Sequence, residues 1–540
     1  MAFRFIGVPF AQPPTGDLRF QYAQPWNGTY ANATQYGPAC LQYEWFDGND
    51  YGLNPWGNSE DCLFLNVYTP HIPASPPKNT STLKPVMFWM YGGASTQGSA
   101  ADSTFDGASL VSRGDVVLVT ANYRLNIFGF LTLNDSTVPG NYHASDKIEA
   151  LNWVQKYITA FGGDPNNVTI FGQSAGASSV IDLIQSPKAP GLFTGAIVQS
   201  SGNGHTVASS AAASQILPFV NELCSNATGT ARLSCLQALP AETLLGLTKT
   251  NVTSWKAVID NIYLDDVSIA QLAKGQQYLN KVKLLNGYMS DECQSLIGES
   301  LPPNVTSLEA GLEIVEKVGF VNANQAAVVL KSPLWTVSNS TKQSKCQSKW
   351  SFDDPYNATV NVATDAFITG PGVQLTRVGA ASYSYERMWI YRMERGYALS
   401  YYNPWGLCSF PVGRPETPYY KCHSSDLYEV FGTYYLFDQP IRVDEDVYYT
   451  NAIQDMWASF ARTGNPNVDK AYLRARGYHS TLEFFSDFVW PPFDVVSPKV
   501  ASLQFPGPGV TTLPDQERLA VLTPFARDFS GPPIPSDPEA

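Results

Sequence analysis

Short, uninterrupted apolar runs separated by longer amphipathic stretches characterise the first two hundred residues. The runs lie at residues 86–90, 116–120, 168–171 and 196–198. Between the second and third of them, apolar side chains recur at steps of three and four, which predicts a helix from 146 to 157. Fully apolar strands separated by helices are typical of a buried, mainly parallel sheet. We therefore predict an α/β protein, and runs at 282–285 and 388–391 are candidates for further strands of the same sheet.

Outside these runs, the pattern of hydrophobic and polar residues is less regular. Residues 205–350 are more helical and more irregular, and we expect them to pack over one end of the sheet. No linker divides the chain, so a single domain over 1–540 is predicted, with a flexible tail at 525–540. The chain opens on a strand-like segment without a recognisable signal peptide. This predicts either a mature chain or a start downstream of the usual one.

Composition and charge narrow the function classes. The 540 residues are 44% hydrophobic and 15% charged, which is enough apolar material for a large core. The formal net charge is -13, and an acidic chain repels phosphate backbones, so nucleic acid is not an expected partner. The chain has no run of 18 apolar residues, so integral membrane association is not expected either.

One pentapeptide carries recognisable chemistry. Gly172-Gln173-Ser174-Ala175-Gly176 is the only Gly-x-Ser-x-Gly sequence of the chain, and it lies between the 168–171 run and a helical stretch of small residues. In so tight a strand-to-helix turn, glycines two residues before and after the serine remove Cβ atoms that would clash. The serine Oγ is then held clear, near a helix N-terminus that favours negative charge. Ser174 is therefore predicted to be a nucleophile.

Acyl transfer at such a serine needs backbone N–H donors for the developing oxyanion. Ala175, which follows the serine, supplies one, and a glycine-rich loop after an earlier strand is expected to supply the others. Tyr91-Gly92-Gly93-Ala94-Ser95 follows the 86–90 run in the expected order. Each such donor is typically worth about a hundredfold to a thousandfold in rate.

The serine also needs a general base and an acid that orients the base. In this chain order the base follows the serine, which leaves His205, His423 and His479. His205 leaves too little chain for an acid-bearing strand, and His479 lies in a polar stretch typical of a surface. We predict that His423, in a loop before a helical run, is the base. For the acid, the loop after the 282–285 run carries Asp291 and Glu292, of which only one can serve.

Cysteines and glycosylation sequons indicate the compartment. The eight cysteines form no CxxC pair, which argues against zinc-ribbon and thioredoxin-like sites, and their even number permits four disulfides. Ten Asn-x-Ser/Thr sequons occur, at Asn27, Asn32, Asn79, Asn134, Asn167, Asn226, Asn251, Asn304, Asn339 and Asn357. Ten sequons together with an even cysteine count predict a secreted glycoprotein rather than a cytosolic protein with reduced thiols.

Longer segments around these motifs resemble the type-B carboxylesterase family, also called the cholinesterase/lipase family of α/β-hydrolases. They lie at residues 7–11, 59–68, 122–125, 161–176 and 456–466. Gln173, where cholinesterases have Glu, and the stretch 423–426 are closest to the fungal secreted branch of the family. The resemblance implies a large, mostly parallel sheet flanked by helices, with helical and irregular insertions over the active site.

The resemblance also implies roles for individual residues. It places the catalytic triad on Ser174, Glu292 and His423, and the oxyanion donors on Gly93, Ala94 and Ala175. It implies two disulfides, Cys40–Cys62 and Cys224–Cys235. The other four cysteines, Cys293, Cys346, Cys408 and Cys422, allow three pairings. A Cys293–Cys422 bond and a local Cys408–Cys422 bond are equally compatible with the sequence.

The reaction that the resemblance implies is two-step hydrolysis of a small-molecule or lipid ester through an acyl-enzyme, with no metal ion or organic cofactor. A triacylglycerol lipase of the same family is the first alternative. The loop between Cys40 and Cys62 is shorter than the lid of such lipases, which favours soluble esters. The second alternative is an adhesion protein that keeps the fold without the triad, but all three triad residues are present here. No feature of the sequence specifies the natural ester or the oligomeric state.

Overall fold

The computed structural model describes residues 2–525, with gaps at 30–31, 44–55, 75–81, 202–205, 250–254, 276–279, 298–299, 338–350, 353, 397–407, 409–419, 438–440 and 514–515. Several residues named above lie outside the described part: Asn79, His205, Asn251, Asn339 and Cys346. So do most of the lid loop and the predicted tail from 526 onward.

A ten-stranded mixed sheet forms the centre of the fold. Its strands are β1 (Phe3–Pro9), β2 (Phe64–Thr69), β3 (Lys84–Met90), β4 (Val117–Ala121), β5 (Gly163–Gln173), β6 (Gly195–Gln199), β7 (Lys283–Met289), β8 (Arg387–Met393), β9 (Lys499–Leu503) and β10 (Gly509–Thr512). They lie in the order β1-β2-β4-β3-β5-β6-β7-β8-β9-β10. The strands from β4 to β9 in this order pair in parallel, whereas β1, β2 and β10 pair antiparallel at the two ends. The predicted α/β-hydrolase architecture is confirmed, and 282–285 and 388–391 belong to β7 and β8.

Helices surround this sheet and form most of the segments between its strands. They are α1 (Ala108–Gly114), α2 (Asn126–Phe130), α3 (Tyr142–Tyr157), α4 (Ala175–Gln185), α5 (Ser209–Leu223), α6 (Gly229–Ala238), α7 (Ala241–Gly246), α8 (Ser268–Ala273), α9 (Cys293–Leu296), α10 (Leu308–Lys317), α11 (Ala323–Lys331), α12 (Pro355–Thr364), α13 (Gly370–Ala381), α14 (Leu427–Phe431), α15 (Asp444–Thr463), α16 (Lys470–Arg476), α17 (His479–Phe484) and α18 (Gln516–Leu522). None of these described helices is both long enough and apolar enough to cross a membrane.

The central strands contain continuous apolar runs because both of their faces are covered there. Every residue from Val86 to Met90 in β3 is fully buried, and successive side chains of a strand point to opposite faces. The helix α4 packs against β5 and β6, and α15 packs against β3 and β5. The same burial explains why the strands appear in the sequence as continuous apolar runs rather than as alternating patterns.

The helix predicted at 146–157 is α3, and it begins earlier, at Tyr142. Its first turn escapes the apolar pattern because His143 and Ser145 are polar, although both are buried. Asp146 is ion-paired with Arg124 at 2.6 Å, which satisfies the buried charge. Tertiary pairing thus replaces apolar packing at the start of this helix.

The insertions between β6 and β8 are mainly helical, as expected from the sequence, and have apolar clusters of their own. One cluster joins α2 to α5, α6 and α7, and a second joins α9 to α10, α11 and α12. The second cluster lies next to the loop that follows β7, because α9 starts at Cys293, directly after Glu292. The prediction of one domain over 1–540 stays a prediction.

Three disulfides are formed in the described part. Two are the bonds implied by the family resemblance, Cys40–Cys62 and Cys224–Cys235. The third, Cys408–Cys422, is one of the two pairings that the sequence left open. Cys293 is buried and carries no disulfide, so the Cys293–Cys422 alternative is not formed.

Candidate active site

Ser174 lies at a sharp turn between β5 and α4. Gln173 is the last residue of β5, Ala175 is the first of α4, and Ser174 between them has φ 56° and ψ -127°. A positive φ is uncommon for a residue with a side chain, and such backbone strain is on the order of 1–3 kcal/mol. The strained turn leaves Ser174 half-buried at the carboxyl end of a central strand, where a nucleophile can be reached.

The two glycines of the motif are required by a close approach of backbone segments. A Cβ on Gly176 would lie 2.1 Å from the carbonyl oxygen of Met90. A Cβ on Gly172 would lie 2.6 Å from the carbonyl carbon of Gly176. Neither space accommodates a side chain, so both positions require glycine, as the sequence motif predicts.

The glycine-rich loop after β3 lies directly beside the serine. A Cβ on Gly92 would come within 2.9 Å of Ser174 Cβ. Gly93, Ala94 and Ser95 have positive φ values of 117°, 53° and 63°. The N–H groups of Gly93 and Ala94 donate to no other described residue, so both can serve as donors at this position.

Two stacked tyrosines hold this loop in place. The rings of Tyr91 and Tyr123 stack with centroids 4.4 Å apart, and the Tyr123 hydroxyl donates to the Tyr91 carbonyl oxygen at 2.5 Å. Beyond the loop, the Asn126 N–H donates to the Ser95 carbonyl oxygen at 2.7 Å. The candidate oxyanion donors are thus supported from both ends by buried hydrogen bonds.

His423 and Glu292, 131 residues apart in the sequence, are in direct contact. Nδ1 of His423 lies 2.6 Å from Oε2 of Glu292, and the other carboxylate oxygen accepts the Met289 N–H at 2.7 Å. Glu292 is fully buried. Because an ionised carboxylate can only accept, Nδ1 carries the ring proton and Nε2 keeps a lone pair. This is the tautomer that a general base requires.

The adjacent carboxylate, Asp291, has a different role. Its Oδ2 accepts the Lys421 N–H at 3.0 Å, and its own N–H donates to the Lys421 carbonyl oxygen at 3.1 Å. Burial raises the pKa of Asp291. Asp291 therefore fastens the loop that carries His423, while Glu292 contacts the imidazole. The sequence left the choice between the two carboxylates open and did not reveal this tether.

Gln173, the residue before the serine, contacts the other ring nitrogen of His423. Its side-chain nitrogen lies 3.1 Å from Nε2. Among the described residues, Gln173 and not Ser174 is the hydrogen-bond partner of this atom. Catalytic hydrogen bonds are often loose without substrate and tighten when it binds. Gln173 had no predicted role, although its place in the motif puts it beside His423.

A further carboxylate, Asp426, is buried near the imidazole. The Gln199 amide donates to its Oδ2 at 2.7 Å, and the Trp457 indole N–H donates to Gln199 Oε1 at 3.1 Å. Burial raises the pKa of Asp426 to about 6, and the hydrogen bond from Gln199 opposes this rise. Above that pH a second negative charge lies close to His423.

The remaining described histidines lie away from this arrangement. His71 and His479 are exposed, as predicted for His479, and His143 is buried beside Lys147. Within the described ranges, no group of three or more His, Cys, Asp or Glu side chains is placed to hold a metal ion.

Seven of the sequons lie in the described part, and they differ in exposure. Five are exposed: Asn27, Asn32, Asn134, Asn226 and Asn304. Asn167 and Asn357 are half-buried, and their side-chain nitrogens donate to the Arg462 carbonyl oxygen at 3.4 Å and to Asp354 at 2.7 Å. Glycans attach to that nitrogen, so the exposed asparagines are the better acceptors.

Comparison with known proteins gives consistent matches over nearly the whole chain. The family model described as "Carboxylesterase family" matches residues 2–521. Carboxylesterase 5A of Canis lupus familiaris is 32% identical over an alignment that covers 98% of this chain and 90% of that protein. Carboxylesterase 5A of Homo sapiens is 32% identical, with 86% and 78% covered. Liver carboxylesterase B-1 of Rattus norvegicus is also 32% identical, with 86% and 82% covered.

Proposed function

Because the chain belongs to the carboxylesterase family, we propose that it hydrolyses carboxylic esters through an acyl-enzyme formed on Ser174. The observation that carries this proposal is the contact of 2.6 Å between buried Glu292 and Nδ1 of His423, whose other ring nitrogen lies 3.1 Å from the side chain of Gln173 in the nucleophile turn. A hydroxyl is a weak nucleophile near neutral pH, and a base oriented in this way activates it.

The proposed reaction has two steps with the same proton carrier. Nε2 of His423 takes the proton of Ser174 Oγ as the oxygen attacks the ester carbonyl, and Glu292 stabilises the imidazolium. The imidazolium then gives this proton to the departing alcohol. The acyl group remains covalently bound to Ser174 as the acyl-enzyme. Water attacks the acyl carbon while His423 takes one of its protons, and the acid is released as Ser174 regains its hydrogen.

The negative charge that develops on the carbonyl oxygen is held by backbone N–H groups. Gly93 and Ala94 supply donors from the loop after β3, and Ala175 supplies one from the first turn of α4. The support of this loop by Tyr91 and Tyr123 favours the assignment, because pre-oriented donors do not have to reorganise during the reaction.

Hydrolysis of p-nitrophenyl esters from acetyl to palmitoyl tests the proposal. In Ser174→Ala we expect kcat to fall by more than about a thousandfold, since the nucleophile is removed. Ser186→Ala, which alters a buried serine just beyond α4, serves as the control and is expected to keep activity within about threefold of wild type. Full activity in Ser174→Ala would show that the nucleophile lies elsewhere.

The same series of esters separates an esterase from the lipase alternative. Activity that peaks at short to medium acyl chains fits soluble esters, as the short lid loop suggests. Activity that rises toward palmitoyl and increases once the ester exceeds its solubility limit would identify a lipase instead.

We further propose that the protein is a secreted glycoprotein. Three disulfides and five exposed sequons favour an oxidising compartment. Material secreted by a eukaryotic host is expected to lose mass when treated with an N-glycosidase. Peptide mapping is expected to find glycans at the exposed asparagines and none at Asn357. An unglycosylated protein with reduced cysteines from the same host would refute the assignment.

A further inference from the structure

Gln173 contacts His423 at the one ring atom that must accept the serine proton. Its carboxamide nitrogen lies 3.1 Å from Nε2, and Gln173 is only 2% exposed. Since Glu292 holds the ring proton on Nδ1, Nε2 is an acceptor and the carboxamide N–H must be the donor. The contact therefore fits a neutral imidazole and does not fit an imidazolium, whose Nε2 also carries a hydrogen.

The carboxamide occupies a narrow space between the base and the candidate oxyanion loop. A Cβ on Gly92 would lie 3.1 Å from Gln173 Oε1 and 2.8 Å from the Gln173 carbonyl oxygen. The carboxamide is thus flanked by the backbone at Gly92 and by the imidazole of His423, which it contacts directly.

The charged groups around the imidazole come from two loops, the one after β7 and the one before α14 that carries His423 itself. Glu292, in the loop after β7, touches Nδ1, and Asp426, directly before α14, is a second buried carboxylate nearby. The Lys421 N–H donates to the Asp291 carboxylate at 3.0 Å and so joins the two loops. The two carboxylates nearest the ring both favour the imidazolium. Gln173 is the uncharged neighbour that favours the neutral ring.

We propose that Gln173 is a positioning residue that donates to the neutral imidazole of His423 and so extends the activity of the base toward lower pH. The inference rests on the proposed function, because it assigns Gln173 a role through His423. A hydrogen bond to one protonation state stabilises that state, and a negative charge at the same place would stabilise the imidazolium instead. The residue before the nucleophile then determines the acid limb of the pH–rate profile.

The pH dependence of kcat/KM for p-nitrophenyl butyrate tests this role. In Gln173→Glu the acid limb is expected to move up by about one to two pH units, because a carboxylate next to Nε2 keeps the base protonated to higher pH. Gln173→Met, which lacks the donor but adds no charge, is expected to move the limb in the same direction by less than about one unit. KM on the plateau is expected to change by less than about threefold, since Gln173 acts through the base.

Gln155→Glu provides the matched control. It makes the same chemical change at a half-buried glutamine of α3 whose amide donates to the backbone of Pro165 and Leu192. Its profile is expected to superimpose on that of wild type. A superimposed profile for Gln173→Glu, or an equal shift in both variants, would overturn the proposal. If Gln173→Glu fails to fold, the position of the limb in Gln173→Met decides. Activity retained in Ser174→Ala would instead refute the proposed function, so the two failures are distinguishable.

Discussion

Two buried clusters of this protein each combine a carboxylate with a basic side chain, but they are built differently. In the proposed catalytic pair, Glu292 and His423 are in contact at 2.6 Å, and the second carboxylate oxygen accepts a backbone N–H. In the α3–α4 cluster, Lys147 and Asp182 line a cavity of about 10 Å³ together with His143. A cavity of this size has room for about one water molecule.

The difference shows in the protonation of the α3–α4 cluster. Lys147 Nζ lies 2.9 Å from His143 Nδ1 and 3.7 Å from the centre of the Tyr123 ring, and Asp182 accepts from Thr206 at 3.2 Å. Burial lowers the pKa of Lys147 to about 7 and raises the pKa of Asp182 to about 7. In the Glu292–His423 pair, the direct contact fixes the position of the carboxylate relative to the imidazole. Charges separated by a cavity recover less of their desolvation energy.

The largest expected effect comes from breaking the catalytic pair. Glu292→Gln keeps the shape of the side chain but can no longer hold the proton on Nδ1, and kcat is expected to fall by about a thousandfold to ten-thousandfold. Asp291→Asn, a neighbouring change that leaves the contact to His423 intact, is expected to cost less than about tenfold. Steady-state kinetics on a p-nitrophenyl ester compares the two. Equal losses would show that the loop tether, rather than the triad acid, controls activity.

Substitutions in the α3–α4 cluster are expected to change the free energy of unfolding, without a thousandfold loss of kcat. Lys147→Met leaves Asp182 buried without its cation and is expected to lower the free energy of unfolding by about 3–5 kcal/mol. The double variant Lys147→Met/Asp182→Leu replaces both charges by apolar groups and is expected to be neutral or more stable by about 1–4 kcal/mol. Denaturant titration measures both. The half-buried surface pair Lys84–Asp115 is the control, and Lys84→Met should cost less than about 1 kcal/mol.

The free energy of unfolding of the same variants is also expected to depend on pH, and this effect is smaller. The raised pKa of Asp182 means that its burial costs stability increasingly as pH rises from 3.8 to about 7. The lowered pKa of Lys147 means that its burial costs stability increasingly as pH falls from 10.5 to about 7. The stability gained by the double variant over wild type is therefore expected to be largest near pH 7 and to shrink toward both extremes. A gain that is flat with pH would contradict this account.

The sequence predicted the fold well where burial alone determines the pattern. The strands β3 to β8 each contain an apolar run that is buried on both faces, so these runs are visible without any knowledge of their partners. The first turn of α3, residues 142–145, was not predicted because His143 and Ser145 are polar although buried, and an apolar pattern cannot reveal such positions.

The candidate site was predictable to the extent that its chemistry depends on chain order and local motif. Ser174 follows from its motif, and His423 follows from the few histidines that come after it. The tether formed by Asp291 and the contact from Gln173 depend on how loops from distant parts of the chain meet. Sequence separation gives no information about such contacts, and for the same reason it did not settle the partner of Cys422.

The Cys408–Cys422 bond ends one residue before the proposed base, and a free thiol, Cys293, lies one residue after the proposed acid. Disulfides rearrange when a thiolate attacks them, and burial raises the pKa of Cys293 far above its ordinary value. The Cys293 sulfur beside the proposed acid is thereby kept mainly as the thiol, which is the unreactive form. Once oxidative folding has joined Cys408 to Cys422, Cys293 is therefore a poor nucleophile for reopening that bond.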